Sequence, residues 1–265
     1  MGLTALFGAG VMGEALLSGL LRSGRQAGDL LVAERRPDRA KELTDRYGIE
    51  VVSNVEAATK ADTVVLVVKP QDMGALLDEI APHLRDGVLA VSLAAGITTA
   101  YLEQRLAPGA AVVRVMPNTP ALVDQGMAAV SAGSHCDEAQ LLEAEGLLRA
   151  VGKVIRVPEK QQDAVTAISG TGPAYVFYVV EAMIESGVHL GLPRATASEL
   201  VIQTVFGAAT MLRDTGEHPT VLRENVTSPA GTTAAAVRKL EEHSVRAAFL
   251  VAMEAARDRS HELGT

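Results

Sequence analysis

The chain has 265 residues, 48% of them hydrophobic but only 3% aromatic, and a formal net charge of −8 at pH 7. That length suits one large or two modest domains, with a core built from Ala, Val and Leu. The acidic balance and the lack of a basic patch argue against nucleic acid as a partner, because nucleic-acid binding neutralises phosphates with Lys and Arg. The single cysteine, Cys136, excludes an internal disulfide, and no Cys/His spacing suggests a metal site. No signal-peptide pattern opens the chain, and Leu200–Leu212, the longest apolar stretch, falls short of the ~20 apolar residues of a membrane span. The expectation is a cytoplasmic protein without a membrane partner.

Short apolar runs and helical segments alternate along the first part of the chain. Leu3–Phe7 predicts a strand, followed by a glycine-rich turn and a helix from Met12 to about Arg22. Leu30–Ala33 predicts a second strand, Pro37 starts a helix that runs to Tyr47, and Glu50–Val52 is a short third strand. Asp62–Val68 (DTVVLVV) is a buried strand that ends at Lys69-Pro70, and Val88–Ser92 and Ala111–Met116 follow, each after a helical segment. Met127–Ser131 and Val154–Val157 extend the sheet and bracket a helix near 138–150. This alternation argues for an α/β fold, a doubly wound and mostly parallel sheet with helices on both faces.

After Pro158 the pattern becomes all-helical. Ala174–Gly187, Arg194–Thr215, Ala234–His243 and Arg246–Leu263 read as helices, broken at 215–219 and 227–233. The domains are therefore drawn at 1–158, binding a dinucleotide, and 159–265, all-α. Ala174–Met183 and Leu200–Leu212 are apolar almost all round, and such helices are buried on every face. A unit of this size supplies that burial when two copies intertwine as a homodimer, the alternative being a compact monomeric bundle.

Gly8-Ala9-Gly10-Val11-Met12-Gly13 is G-x-G-x-x-G, placed directly after a strand and opening a helix. In that context Gly8 permits the tight turn, Gly10 lets the backbone approach a pyrophosphate, and Gly13 lets the helix pack on the strand. The helix N-terminus offers free N–H groups to the anion. At the end of the second strand Glu34 suits the ribose hydroxyls of NAD(H), whereas Arg35 and Arg36 suit the 2′-phosphate of NADP(H). The arginine pair favours NADP(H), with NAD(H) as the alternative; Arg35 and Arg36 could instead be an exposed pair at a helix start. Ligands of doubly wound sheets lie beyond the carboxyl ends of the strands. That rule places Val68, Lys69, Pro70, Ala94, Ala95, Gly96 and Asn118 around the cofactor, with Asn54 toward the adenosine side.

The second half holds no Ser-His-Asp set and no distinctive carboxylate pair. His218, in a turn, reads as structural. The remaining candidates are hydroxyls and amides of Ser169-Gly170-Thr171-Gly172-Pro173 and Ser228-Pro229-Ala230-Gly231-Thr232-Thr233, either as a carboxylate cradle or as ordinary helix caps.

Val113–Val123 (VRVMPNTPALV), Ser169–Phe177 (SGTGPAYVF), Gly191–Ala195 (GLPRA), Glu217-His218-Pro219 and Val226–Thr233 (VTSPAGTT) together resemble the pyrroline-5-carboxylate reductase family over nearly the whole chain. Ala230 departs from the family's usual SPGGTT, the smallest possible change. The resemblance implies hydride transfer from NAD(P)H to the C=N carbon of 1-pyrroline-5-carboxylate, giving L-proline in the last step of its biosynthesis. It implies that the amides of Gly231, Thr232 and Thr233, with help from Ser228, hold the substrate carboxylate. By the same resemblance Thr233 relays a proton to the ring nitrogen, and Thr171 is the second candidate hydroxyl. It further implies an interlocked helical homodimer, the active site formed with the partner's helices, and assembly into rings of dimers. A β-hydroxyacid dehydrogenase shares this plan but places a catalytic Lys on the first long helix, where Ala174–Tyr178 has none. A cofactor-sensing protein without turnover would have lost the 228–233 loop, which is present. A substrate-relaxed imine reductase is the nearest variant of the leading reading.

Overall fold

The structure is a computed structural model that describes residues 2–263. Two compact units divide it, residues 2–171 with the return of 256–263, and residues 172–255. The first unit opens with β1 (Thr4–Phe7), α1 (Val11–Arg22), β2 (Leu30–Ala33), α2 (Pro37–Tyr47) and β3 (Glu50–Val52). It continues through α3 (Asn54–Lys60), β4 (Thr63–Leu66), α4 (Pro70–Ile80), β5 (Leu89–Ser92) and α5 (Thr99–Glu103). It closes with β6 (Ala111–Met116), β7 (Gly126–Ala132), α6 (Glu138–Arg149), β8 (Gly152–Arg156) and the short α7 (Gln162–Val165).

The eight strands lie in the order β3-β2-β1-β4-β5-β6-β7-β8. The strands from β3 to β6 are all parallel; β7 runs antiparallel to β6, and β8 is parallel to β7. The chain leaves β1 toward one edge and resumes at β4 toward the other, so the strand order reverses between them. Alternate side chains feed two cores. Leu6, Val32, Val65 and Val91 pack with α1 and α6 on one face, while Phe7, Leu31, Leu66 and Ala90 pack with α3 and α4 on the other. Strands buried on both faces explain the unbroken apolar runs in the sequence.

The composition changes at Pro158, but the packing changes only at 171/172, because residues 159–171 are tied to the sheet. Arg114, buried on β6, pairs with Glu159 at 3.3 Å and Asp163 at 3.8 Å. Glu159 also accepts from the Thr99 amide and hydroxyl, at 2.7 and 2.6 Å. Gln162 Nε2 donates to Ser131 Oγ at 2.8 Å. At the far end of the chain the Ser260 hydroxyl donates to Asp163 at 2.8 Å.

The second unit contains α8 (Gly172–His189), α9 (Arg194–Thr215), α10 (Pro219–Asn225), α11 (Thr232–Glu242) and most of α12 (Val245–Leu263). Here one expectation fails within a single chain. The apolar helices are not covered: α8 has no buried residue, and α9 buries only Ala197 and Val201. Phe177, Tyr178, Leu200, Ile202 and Phe206 are all more than half exposed. By length and composition alone, Glu159–His189 and Arg194–Thr215 are also apolar enough to cross a membrane, a wider stretch than the apolar run at 200–212 suggested.

Candidate functional site

Gly8, Gly10 and Gly13 have three different physical reasons to lack a side chain. Gly8 has φ +96°, a left-handed conformation, and its N–H donates to Ala33 O at 3.0 Å, tying the end of β1 to the end of β2. A Cβ on Gly13 would lie 2.3 Å from the Gly8 carbonyl oxygen, so α1 can sit this close to β1 only with glycine there. A Cβ on Gly10 would meet nothing within 4 Å. Its lack of a side chain leaves open space at the N-terminus of α1. Gly10 caps that helix without a side-chain bond, and the amides of its first turn lie beyond the reach of the intrahelical ladder.

The loop is braced from α2, a feature that sequence reasoning missed. Arg39 Nε donates to Ala9 O at 3.2 Å, and its guanidinium pairs with Glu14 on α1 and, at 2.6 Å, with Glu42. Glu14 also receives Arg46 at 2.7 Å and the Tyr47 hydroxyl at 2.8 Å. Burial would raise the Glu14 pKa, but these partners, Arg39 first, hold it below the ordinary carboxylate value. Arg39 and Arg46 lie two and nine residues past Pro37, and no local motif marks them.

A cavity opens beside Gly8 at the strand-order reversal. Ala33, Glu34, Arg35, Asn54 and Val68 line it, together with Asp72 and Leu76 of α4, which sequence reasoning did not select. Val67 O would lie 3.1 Å from a Cβ on Gly8, so the ends of β1 and β4 meet at this point. Asn54, the first residue of α3, donates to Glu79 at 2.8 Å. Lys69 is exposed at the N-cap of α4, with Pro70 at the first helical position. Ala94 is buried, Ala95 half-buried, and Gly96 turns with φ +78° beyond β5.

Asn118 has a different setting. Its Nδ2 donates to Ser169 O at 3.0 Å, and its Oδ1 accepts from the Met127 amide at 2.8 Å. Both ends of the amide are thus engaged in joining the end of β6 to the start of β7 and to the 166–170 segment. That segment is not a loop but a π-helical turn. The Thr171 hydroxyl lies 3.1 and 3.0 Å from the carbonyl oxygens of Thr166 and Ala167, which directs its proton toward the main chain.

In the second unit, residues 228–231 form a tight turn. The Gly231 amide donates to Ser228 O at 3.0 Å, and Ala230 has φ +58°. The departure from the family's glycine therefore falls on a left-handed position, where a Cβ is disfavoured. It is a strained change and not merely a small one. A Cβ on Gly231 would lie 2.4 Å from Ser228 Oγ, so a side chain there would displace that hydroxyl. With the Gly231 amide bonded inside the turn, the amides at the N-terminus of α11 that lack an intrahelical partner begin with Thr232 and Thr233. His218 is structural, as expected: its Nδ1 accepts from the Thr220 amide and caps α10. The Cys136 thiol is pushed up to about 11 by burial and by the carboxylates of Asp137 and Glu138, which makes it a poor nucleophile. Among the described residues no cluster of His, Cys, Asp and Glu forms a metal site.

Known proteins give this geometry a context. Residues 159–263 match a family model described as pyrroline-5-carboxylate reductase dimerisation, and residues 4–96 match one described as NADP oxidoreductase coenzyme F420-dependent. The pyrroline-5-carboxylate reductase of Corynebacterium melassecola is 49% identical over 98% of this chain and 98% of its own length. That of Mycobacterium tuberculosis H37Rv is 45% identical over 98% and 96%. The solved Coxiella burnetii pyrroline-5-carboxylate reductase superposes with a TM-score of 0.94 at 37% identity, covering 100% of this chain and 99% of the other. The Plasmodium falciparum pyrroline carboxylate reductase, solved with NADP bound, superposes with a TM-score of 0.90 at 30% identity over 99% and 98%.

Proposed function

The chain belongs to the pyrroline-5-carboxylate reductase family, and from that premise we propose how its residues divide the work of reducing 1-pyrroline-5-carboxylate to L-proline. The enzyme is an NAD(P)H-dependent imine reductase of proline biosynthesis. The observation that carries the residue assignment is the 8–13 loop. Its open face at Gly10 and closed face at Gly13 suit a pyrophosphate on the N-terminus of α1 and nothing bulkier in the turn. Ala9, Val11 and Met12 would contribute backbone to that cradle. Arg35, Arg36 and Asn54 would flank the adenosine half, and Val68, Lys69, Pro70, Ala94, Ala95 and Gly96 the remainder. Asn118 would act on this site by holding the β6–β7 connection in place.

Bound NAD(P)H supplies the hydride. The chain's own tasks are to orient the imine and to hold its charge. The substrate carboxylate would accept from the Thr232 and Thr233 amides and the Ser228 hydroxyl, with Gly231 serving the turn that aims them. When the imine carbon receives hydride, the C=N electron pair moves to nitrogen, and Thr233, by its match to the family motif, would pass it a proton. Its hydroxyl supports this role better than that of Thr171, whose proton points at two carbonyls. Residues 159–265 would form the substrate and dimerisation domain, giving a homo-oligomer that assembles further as a ring of dimers in the cytoplasm. The uncovered faces of α8 and α9 support the dimer.

The test is the loss of reduced-nicotinamide absorbance with pyrroline-5-carboxylate, coupled to identification of the product. Stoichiometric L-proline supports the reading. Folded protein that binds a dinucleotide but does not turn over would reject it and leave other cyclic imines or a sensing role.

A further inference from the structure

Glu34 closes β2 with a side chain only 8% exposed, in contrast to the exposed arginines that follow it. Its carboxylate lies on the wall of the cavity that Gly8 also lines. The Arg36 amide donates to the same carboxylate at 3.0 Å, and Arg36 Nε at 3.1 Å. Burial works against the charge, and Arg36 outweighs it, holding the Glu34 carboxyl below the ordinary carboxylate value. The carboxylate is therefore a fixed charge beside Gly8, on the wall of the cavity that Asn54 and Asp72 also line.

Neither arginine is waiting for an anion. Arg36 is turned back onto Glu34, and Arg35 reaches Glu79 at 3.0 Å on the oxygen that also receives Asn54. In a sheet that reverses order beside β1, the end of β2 meets the ribose that follows the pyrophosphate. A ribose 2′-hydroxyl can donate to Glu34. A 2′-phosphate can only accept, and it would bring a dianion against a buried carboxylate. The exposed ion pairs of Arg35 and Arg36 are weak and can be released, but a like-charge contact in a partly buried site outweighs what they would return. Moving Glu34 aside would leave the Arg36 amide without its acceptor.

We propose that Glu34 makes this enzyme select NADH over NADPH, accepting the adenosine ribose hydroxyl and excluding a 2′-phosphate. This rests on the reading of residues 8–13 as a dinucleotide site, and it replaces the NADP(H) preference that the arginine pair suggests in the sequence. The probe is direct titration of NADH and of NADPH, followed by the fluorescence of the reduced nicotinamide, without substrate. The wild-type protein is expected to bind NADH about tenfold tighter or more. Glu34→Ser, which opens room beside Arg36, is expected to tighten NADPH by about tenfold and weaken NADH, reversing the order. Glu34→Gln keeps an acceptor for the Arg36 amide and removes the charge, so it should bring the two affinities together. A wild-type protein that binds NADPH as tightly as NADH, or folded variants with an unchanged ratio, overturns the proposal and leaves the dinucleotide site intact. Binding of neither nucleotide rejects the site and the proposal with it. Should both variants fail to fold, the wild-type ratio decides alone.

Discussion

Gly10 at the N-cap of α1 and Gly13 in its first turn are three residues apart, and alanine at each should fail in a different way. At Gly13 the new Cβ would lie 2.3 Å from the Gly8 carbonyl oxygen and 3.2 Å from its carbon. Ordinary contact requires α1 to retreat from β1 by on the order of 1 Å, because neither partner is a movable side chain. Overpacking of this kind costs about 3 kcal/mol at the upper end of its range. The gain from replacing glycine near a helix start offsets roughly 1 kcal/mol. A net loss of about 2 kcal/mol lowers the melting temperature by about 4–8 °C in a unit of this size. At Gly10, φ is −68° with an extended ψ, and no atom stands within 4 Å of the added Cβ. Gly10→Ala should therefore melt within about 0.5 kcal/mol of the parent. It should lose about tenfold or more in NADH affinity, because the methyl group occupies the approach to the pyrophosphate. Thermal melting and nucleotide titration on the same two proteins make the comparison. A Gly13→Ala protein that melts like the parent would refute the packing argument, and a Gly10→Ala protein that binds NADH normally would move the pyrophosphate off this face.

Three further outcomes are expected. Ala230 already occupies a left-handed position, so Ala230→Gly should be neutral or slightly stabilising in thermal melts, and Ala230→Val should cost about 1–2 kcal/mol and raise the KM for the imine. Phe206 is 65% exposed in the single chain; Phe206→Glu should break the homo-oligomer in light scattering, and an unchanged assembly would mean that α9 faces solvent. Glu14 has a folded pKa below its ordinary value. Its contribution is then present above the unfolded carboxylate pKa of about 4.3 and is lost as pH falls through the lower folded value. Glu14→Gln should flatten the acid limb of stability against pH while leaving its slope above pH 6 unaltered.

The strands and the glycine loop were legible because one local rule governs each. An apolar run between turn residues marks a buried strand, and G-x-G-x-x-G needs only its flanking strand and helix for support. The predicted bounds of β2, β3 and β6 agree with the structure residue for residue. Several short helices were not anticipated. For α3 a signal existed, since Ser53 caps the Glu56 amide at 3.2 Å in the S-x-x-E spacing that marks a helix start. The π-turn at 166–170 and the Arg39–Glu14 brace depend on residues distant in sequence or on an i→i+5 bond that composition does not encode. The orientation of Glu34 was the least legible. Three consecutive charged residues, Glu34-Arg35-Arg36, leave open which one points inward, and only the folded packing, which covers the Glu34 side chain and leaves both arginines exposed, decides that.

The bare flanks of α8 and α9 also bear on how the chain is born. A single copy exposes two helical stretches whose length and hydropathy match those of a bilayer span, and on the proposed assembly they would stay exposed until a second copy covers them. The stability of the second unit is then a function of subunit concentration as well as of sequence. At low expression the chain spends longer in a form that membranes, chaperones and other unassembled copies can capture. Dilution should therefore lower its thermal midpoint, and its yield in a cell should rise more steeply than in proportion to its rate of synthesis.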